Sequence, residues 1–126
     1  YAAHLGEAAL VAQLRCWLAD RARVALVADL DKTSDRLGLS YQRAIIRGQK
    51  QRWGSCSSHG TISLNWKLLF LPTHLVQHVC IHELCHRRHL NHSADFWHLV
   101  AQCDPQWQSH RLAMKTAWQY IPPWLD

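Results

Sequence analysis

The sequence has no CxxC pair, no apolar run long enough to cross a bilayer and no internal repeat or low-complexity tract. A membrane-spanning helix needs roughly 18 or more apolar residues, so we expect no membrane partner. The five cysteines are an odd number and widely spaced, which argues against a disulfide scaffold and predicts a reducing, cytoplasmic location. With 48% apolar and 18% charged residues, the chain of 126 residues is typical of one globular domain and not of a disordered protein.

Acidic residues are missing from a long internal stretch. None lies between Asp35 and Glu83, whereas the net charge of the chain is +5. The stretch predicts a positive surface that could attract nucleic acid, nucleotides or acidic proteins, although most basic stretches are ordinary solvated surface. Its basic residues are Arg36, Arg43, Arg47, Lys50, Arg52 and Lys67.

The order of apolar patterns and breakers predicts an α+β fold. Near-helical spacing over residues 2–30 indicates one long packing helix, and the glycine-punctuated, β-rich residues 38–66 indicate a small antiparallel sheet. A helix follows from about residue 73 to 90, with Thr73 as its N-cap, and two more are predicted, one capped by Ser93 and one starting at Asp104-Pro105. No linker interrupts this order, so residues 1–126 are expected to form a single domain.

The second predicted helix carries the most specific motif, His82-Glu83-Leu84-Cys85-His86. Two histidines four residues apart lie on one face of a helix, where both can bind the same metal ion. The glutamate beside the first histidine can take a proton from a metal-bound water without being a ligand itself. This combination is typical of a metal-dependent hydrolase.

A catalytic metal site needs a third protein ligand, and three further histidines compete for that role. His78 lies on the same stripe, but its Cα would be about 12 Å from that of His86 at a rise of 1.5 Å per residue. His89 would approach from nearly the same direction as the first pair. His92 follows Asn91, which suits a left-handed turn that would send the chain back toward the metal. We therefore predict that His92 completes the site.

Three separate motifs also carry a family resemblance: RWGSC at 52–56, LNW at 64–66, and HELCH with NHS and FW within 82–97. Over about residues 40–120 the chain resembles the YgjP-like metallopeptidase family, relatives of the SprT-like zincins. The resemblance implies a zincin-like fold with an N-terminal helix, a small antiparallel sheet, the HExxH helix and two C-terminal helices. It also implies one Zn2+ per chain, held by His82, His86 and His92, with Glu83 as the general base.

The sequence departs from that family in three respects. Members commonly carry a β-rich N-terminal extension, and its absence from the 1–126 domain would leave the substrate cleft incomplete. An aromatic residue often stands where this chain has His78, which leaves a second role for that histidine open. No cysteine-rich zinc ribbon follows the domain, so DNA targeting is unsupported.

The leading hypothesis is a zinc metallopeptidase in which Glu83 activates a zinc-bound water that attacks the peptide carbonyl of a peptide or protein substrate. We expect residues 61–66, TISLNW, to form an exposed edge strand that pairs with the extended substrate. On this hypothesis the substrate-binding residues are Arg52, Trp53, Ser63 and Asn65. The competing interpretation is that Asn65 and Trp66 only anchor the sheet to the helix.

The residue that stabilises the oxyanion is not identifiable from the sequence. His98, Tyr120 and Arg52 are the available candidates. The oligomeric state is also not predicted.

Two other functions compete with the peptidase. In the first, a nucleotide phosphohydrolase, the same metal water attacks phosphorus while Arg43, Arg47, Lys50 or Arg52 binds phosphate. Histidine ligands without bridging carboxylates make the required magnesium site less natural. In the second, a nonenzymatic nucleic-acid module uses the basic stretch, with Trp53 and Trp66 as stacking platforms.

Overall fold

The computed structural model describes residues 2–125, with the side chains described from residue 6 onward. Within this range the chain forms four α-helices and a small mixed sheet of three strands, which confirms the predicted α+β class. Three short 3-10 helices, Trp66–Phe70, Ala117–Tyr120 and Pro123–Leu125, complete it. The main elements are α1 (Ala2–Leu37), β1 (Arg43–Arg47), β2 (Gly54–Cys56), β3 (Thr61–Asn65), α2 (Thr73–Cys85), α3 (Ala94–Cys103) and α4 (Trp107–Met114).

The sheet is mixed, so the expectation of a wholly antiparallel sheet is wrong for one strand pair. The strand order is β1-β3-β2, with β1 parallel to β3 and β2 antiparallel to β3. After β1 the chain crosses to the opposite edge, forms β2, and turns back into the centre of the sheet. Gly60, with φ +93°, provides the turn between β2 and β3. Two reversals of direction bring β3 parallel to β1.

This topology also overturns the expectation that residues 61–66 form an exposed edge strand. β3 is paired on both sides and is the central strand. Its apolar residues Ile62 and Leu64 are 0% and 1% exposed. The edge that faces α2 is formed by β2 instead.

Helix α1 continues seven residues beyond the predicted end at residue 30 because no glycine or proline occurs between residue 30 and Gly38. Gly38 has φ +68° and its N–H donates to the Ser34 carbonyl, which ends the helix. The helix packs on the core through Ala22, Leu26 and Leu30, spaced four apart on one face. None of the helices in residues 2–125 combines the length and apolar character that crossing a bilayer requires.

Helix α2 lies at the centre of the fold, in contact with α1, β2, α3 and α4. Its N-cap is Pro72, and Thr73 is the first helical residue, so the predicted threonine cap is wrong. The helix ends at Cys85, earlier than the predicted residue 90. Leu75, Val79 and Leu84 are buried toward the core, as their spacing predicts.

Candidate metal centre

The end of α2 presents two histidines on one face. His82 lies in the last turn and His86 is the C-cap, which keeps right-handed helical backbone angles. The four-residue spacing of the motif is therefore retained, and the two ring centroids lie 5.0 Å apart.

His92 approaches the pair from a separate segment. The N–H groups of His86, Arg87 and Arg88 bond to carbonyls three residues earlier, so the last turn of α2 tightens and the chain leaves the helix axis. Ser93 then caps α3, since the Phe96 N–H donates to its Oγ at 3.3 Å. No residue other than glycine has a positive φ between positions 2 and 125, so the predicted left-handed turn at Asn91 is wrong.

The three Nε2 atoms converge on a single point. The Nε2 of His92 lies 3.1 Å from that of His86 and 3.3 Å from that of His82. A tetrahedral zinc ion with Zn–N bonds of about 2.0–2.1 Å holds its nitrogen ligands about 3.3 Å apart. The spacing of these nitrogens therefore fits a shared metal ion.

Hydrogen bonding fixes which nitrogen of His86 carries the proton. Its Nδ1 lies 2.9 Å from the His89 carbonyl oxygen, and because a carbonyl only accepts, Nδ1 must donate. The Nε2 of neutral His86 is then a bare lone pair aimed at His92, as a metal ligand requires. Burial lowers the pKa of His86, and burial together with the neighbouring His86 and His92 lowers the pKa of His82 to about 3. Both rings are therefore neutral and able to bind a cation.

Aromatic side chains from α3 hold the histidine rings in place. Phe96 is fully buried and stacks on His86 with ring centroids 4.3 Å apart. Trp97 stacks on His92 at 5.6 Å, and its own ring stacks on Trp107 at 4.9 Å. The FW pair of the sequence motif thus forms the apolar wall behind the nitrogens.

Glu83 lies beside the histidines, and its side chain is buried against Gly54 of β2. It is 6% exposed, and burial raises its pKa to about 8, although Arg52 opposes the rise. A Cβ added to Gly54 would lie only 3.1 Å from both Cγ and Oε2 of Glu83. A side chain at position 54 would force the carboxylate to shift by a few tenths of an ångström, so the glycine on β2 lets it sit closest to the sheet edge. Neither the motif spacing nor the local pattern signals that contact.

Two cavities meet at His82 and Glu83. The larger, about 390 Å³, is lined by the three histidines, Glu83, Arg52, Leu90 and all of β2. The smaller, about 160 Å³, extends past Trp53 and His78 to Met114. Both cavities share Gly54. A substrate in either one would contact the same carboxylate and the first histidine of the motif.

The structure separates the four residues predicted to bind substrate. Arg52 lines the larger cavity and Trp53 the smaller one. Ser63 and Asn65 lie on the buried central strand, 9% and 2% exposed, and line neither cavity, so a direct contact with substrate is not supported.

Asn65 instead anchors the loop that carries Arg52. Its side-chain amide donates to the carbonyls of Gln49 and Arg52 at 2.7 and 2.9 Å, and its Oδ1 accepts from the Lys67 N–H at 3.0 Å. The amide nitrogen thus uses both of its hydrogens and the amide oxygen accepts one bond, so the buried side chain holds the loop before β2. Asn65 therefore has an anchoring role, but it anchors the loop before β2 and not, as the competing interpretation had it, the sheet to the helix.

The remaining sequence candidates fall outside the site. His98 and Tyr120 are exposed and line neither cavity, so of the three proposed oxyanion residues only Arg52 lies at the centre. Arg43 and Arg47 are on β1, at the far edge of the sheet, and Lys50 lines a different cavity. The basic residues invoked for a phosphate site are thus not gathered around the histidines.

The tryptophans invoked for nucleic-acid stacking are engaged in packing. Trp66 is 8% exposed, and Trp53 stacks on Trp118 with centroids 3.9 Å apart. Neither ring offers the open platform that single-stranded nucleic acid needs.

Comparison with known proteins gives a match to one family model, described as YgjP-like, metallopeptidase domain, over residues 1–117. The chain belongs to the YgjP-like metallopeptidase family. This membership confirms the resemblance seen in the sequence and makes the protein a metal-dependent peptidase by family. The comparison with curated proteins gives no match.

Two solved structures share the fold of this YgjP-like chain. One is the metallopeptidase zymogen abylysin of Pyrococcus abyssi, with a TM-score of 0.62 and 27% identity over 72% of this chain and 94% of abylysin. The other is the metallopeptidase zymogen jannalysin of Methanocaldococcus jannaschii, with a TM-score of 0.61 and 18% identity over 71% of this chain and 93% of jannalysin. These likenesses confirm the predicted zincin-like architecture.

Proposed function

We propose that the protein is a zinc-dependent peptidase in which His82, His86 and His92 hold one zinc ion and Glu83 is the general base. The convergence of the three Nε2 atoms, at 3.1 and 3.3 Å, carries this proposal. Three imidazole nitrogens suit zinc, whereas magnesium and calcium prefer oxygen ligands. Three protein ligands also leave a coordination position open, as a catalytic site requires.

Bound zinc would supply a Lewis acid that polarises the scissile carbonyl and makes water more acidic. Glu83 takes the proton from the attacking water and passes it to the leaving amine. In the metal-free chain burial raises the pKa of Glu83 to about 8. A zinc ion beside it would favour the ionised carboxylate, which is the form that accepts the proton from water. Gly54 keeps that carboxylate buried by letting β2 approach it closely.

The substrate strand would pair with β2 rather than with β3. The Asn65 N–H donates to the Trp53 carbonyl, and the Ser57 N–H donates to the Thr61 carbonyl. The backbone N–H and C=O groups of the odd-numbered residues from 53 to 57 therefore point toward β3. The backbone groups of Gly54 and Cys56 therefore point to the open edge, on the side of the larger cavity. An extended peptide added there would run past the histidines, with Arg52 beside it.

Family membership favours this peptidase over the phosphohydrolase and the nucleic-acid module, and the dispersed basic residues and packed tryptophans give neither alternative support.

A cytoplasmic location is also part of the proposal. It is supported by five cysteines that are all free, as a reducing compartment would keep them.

The test is cleavage of an unbiased peptide mixture by the zinc-loaded protein, read by mass spectrometry. Glu83→Gln should keep its zinc and lose turnover by about 100-fold or more, the usual scale for removing a general base. His98→Ala is the matched control, because this histidine is exposed on α3 and lines neither cavity. Full turnover in Glu83→Gln with zinc bound would refute the mechanism.

A further inference from the structure

Helix α2 carries more histidines than one metal site uses. His74, His78, His82 and His86 follow one another at four-residue intervals, so they form two successive pairs with the spacing of the HExxH ligands. At about 100° per residue, each four-residue step turns the side chain by about 40°, so the two pairs face directions about 80° apart. The second pair faces His92, and the first pair faces α4, where His110 lies.

The first pair meets a carboxylate there. Asp104 Oδ2 lies 3.1 Å from Nδ1 of His78 and 2.9 Å from Nδ1 of His110. The three ligand atoms lie within 4.8 Å of one another. The side chains are 7%, 7% and 15% exposed for His78, Asp104 and His110. His78 on α2, His110 on α4 and Asp104 at the C-terminal end of α3 thus place two nitrogens and one oxygen in a nearly closed site.

The ligand set is chemically prepared for a cation. The Gln106 N–H donates to Oδ1 of Asp104 at 3.2 Å, which orients the carboxylate and leaves Oδ2 to face the two imidazoles. Burial would raise the pKa of Asp104, but the hydrogen bonds from His110 and His78 outweigh it and hold that pKa below its usual value. Burial lowers the pKa of His78 despite the carboxylate, so the pair is an ionised oxygen and a neutral imidazole.

A fourth donor lies close by. The ring of His74 is 5.4 Å from that of His110, and His74 is exposed at the start of α2, so its side chain has room to turn toward the cluster. Two or three histidines and one carboxylate suit zinc, iron, cobalt or nickel better than magnesium or calcium. The separations of 2.9 and 3.1 Å between donor atoms are also close to those within the shell of a divalent transition metal.

We propose that His78, Asp104 and His110, with His74 as a fourth donor, form a second site for a divalent transition metal, zinc being the first to try. The ion would bind Nδ1 of His78 and of His110, with each neutral ring carrying its single proton on Nε2, and would join the N-terminal half of α2 to α4. This second site raises the expected metal content from one ion per chain to two.

The experiment is equilibrium dialysis of the purified full chain against zinc held at nanomolar free concentration by a chelator, followed by elemental analysis. Wild type should bind two equivalents, and His110→Ala and Asp104→Asn should each bind one. His92→Ala should also bind one, because it removes a ligand of the other site, and His98→Ala should retain two. Cobalt in place of zinc should show, for both equivalents, the absorption of a tetrahedral site without a thiolate band, which excludes the cysteines as ligands.

One equivalent in wild type, unchanged in His110→Ala, would overturn the proposal and leave a hydrogen-bonded triad. Two equivalents that persist in both His110→Ala and Asp104→Asn would overturn it as well. The wild-type count decides even where a variant does not fold. Failure of the peptidase site gives a different result, since His92→Ala would then lose no metal while His110→Ala still would.

Discussion

The burial of Glu83 makes a specific prediction about how pH changes the stability of the metal-free protein. Its pKa rises from 4.5 to about 8 in the folded state because burial disfavours the charged form. Below pH 4.5 both the folded and the unfolded chains keep the proton, so the group has no effect on stability. As the pH rises above 4.5 the unfolded chain releases the proton while the folded chain retains it, so the free energy of unfolding falls.

The magnitude follows from the size of the shift. One pKa unit corresponds to about 1.4 kcal/mol, so the loss is complete near pH 8 at about 5 kcal/mol. Between pH 5 and pH 7 wild type should lose about 2 to 3 kcal/mol relative to Glu83→Gln, which carries no titrating group at this position. Glu7→Gln is the matched control, because it makes the same change at an exposed position on α1.

The assay is urea unfolding of chelator-treated wild type, Glu83→Gln and Glu7→Gln at several pH values. The histidines titrate in all three proteins and largely cancel in the difference. The wild-type and Glu83→Gln curves should separate steadily as the pH rises, whereas Glu7→Gln should follow wild type. A constant offset between wild type and Glu83→Gln at every pH would show that the carboxylate is not held neutral by burial.

Three further substitutions test the packing around the site. Gly54→Ala should reduce peptide hydrolysis by about 10-fold or more while zinc stays bound, because the new Cβ lies 3.1 Å from the Glu83 carboxylate and displaces it. Asn65→Ala should lower the free energy of unfolding by about 1 to 3 kcal/mol, because buried backbone groups lose their partners. Phe96→Ala should cost about 3 to 5 kcal/mol and weaken zinc binding, because its fully buried ring supports His86.

Each of these expectations has an outcome that contradicts it. Wild-type hydrolysis in Gly54→Ala would mean that the sheet edge does not position Glu83. Unfolding curves of Asn65→Ala that match wild type would show that the amide does not hold the loop before β2. Zinc affinity unchanged in a folded Phe96→Ala would mean that the histidine rings need no support from α3.

Local spacing was sufficient to select the histidines that the structure brings together. His82 and His86 follow from helical periodicity, and His92 from the need for a third ligand beyond the helix end. The conformation of the segment that joins α2 to His92 could not be predicted from spacing. Helix α2 ends at Cys85, where the following N–H groups bond to carbonyls three residues earlier, and no glycine or proline in the sequence marks this end. The turn at Asn91 uses ordinary negative φ angles.

Features that depend on distant contacts were not predictable from local pattern. Alternation in residues 61–65 correctly indicates a strand, but it does not reveal that β3 inserts between β1 and β2, so the edge assignment was wrong. The close approach of Gly54 to Glu83 joins residues from different elements. The cluster of His78, Asp104 and His110 likewise forms only when α4 packs on α2.

The most direct test of the peptidase site is the zinc content and peptide hydrolysis of His92→Ala beside His89→Ala. The His89 side chain can be removed without losing the backbone carbonyl that accepts from His86 Nδ1. His92→Ala should lose one equivalent of zinc together with all hydrolysis, whereas His89→Ala should keep the zinc content and the hydrolysis of wild type. Zinc and hydrolysis at wild-type levels in His92→Ala would contradict the assignment of the three converging histidines as the catalytic metal site.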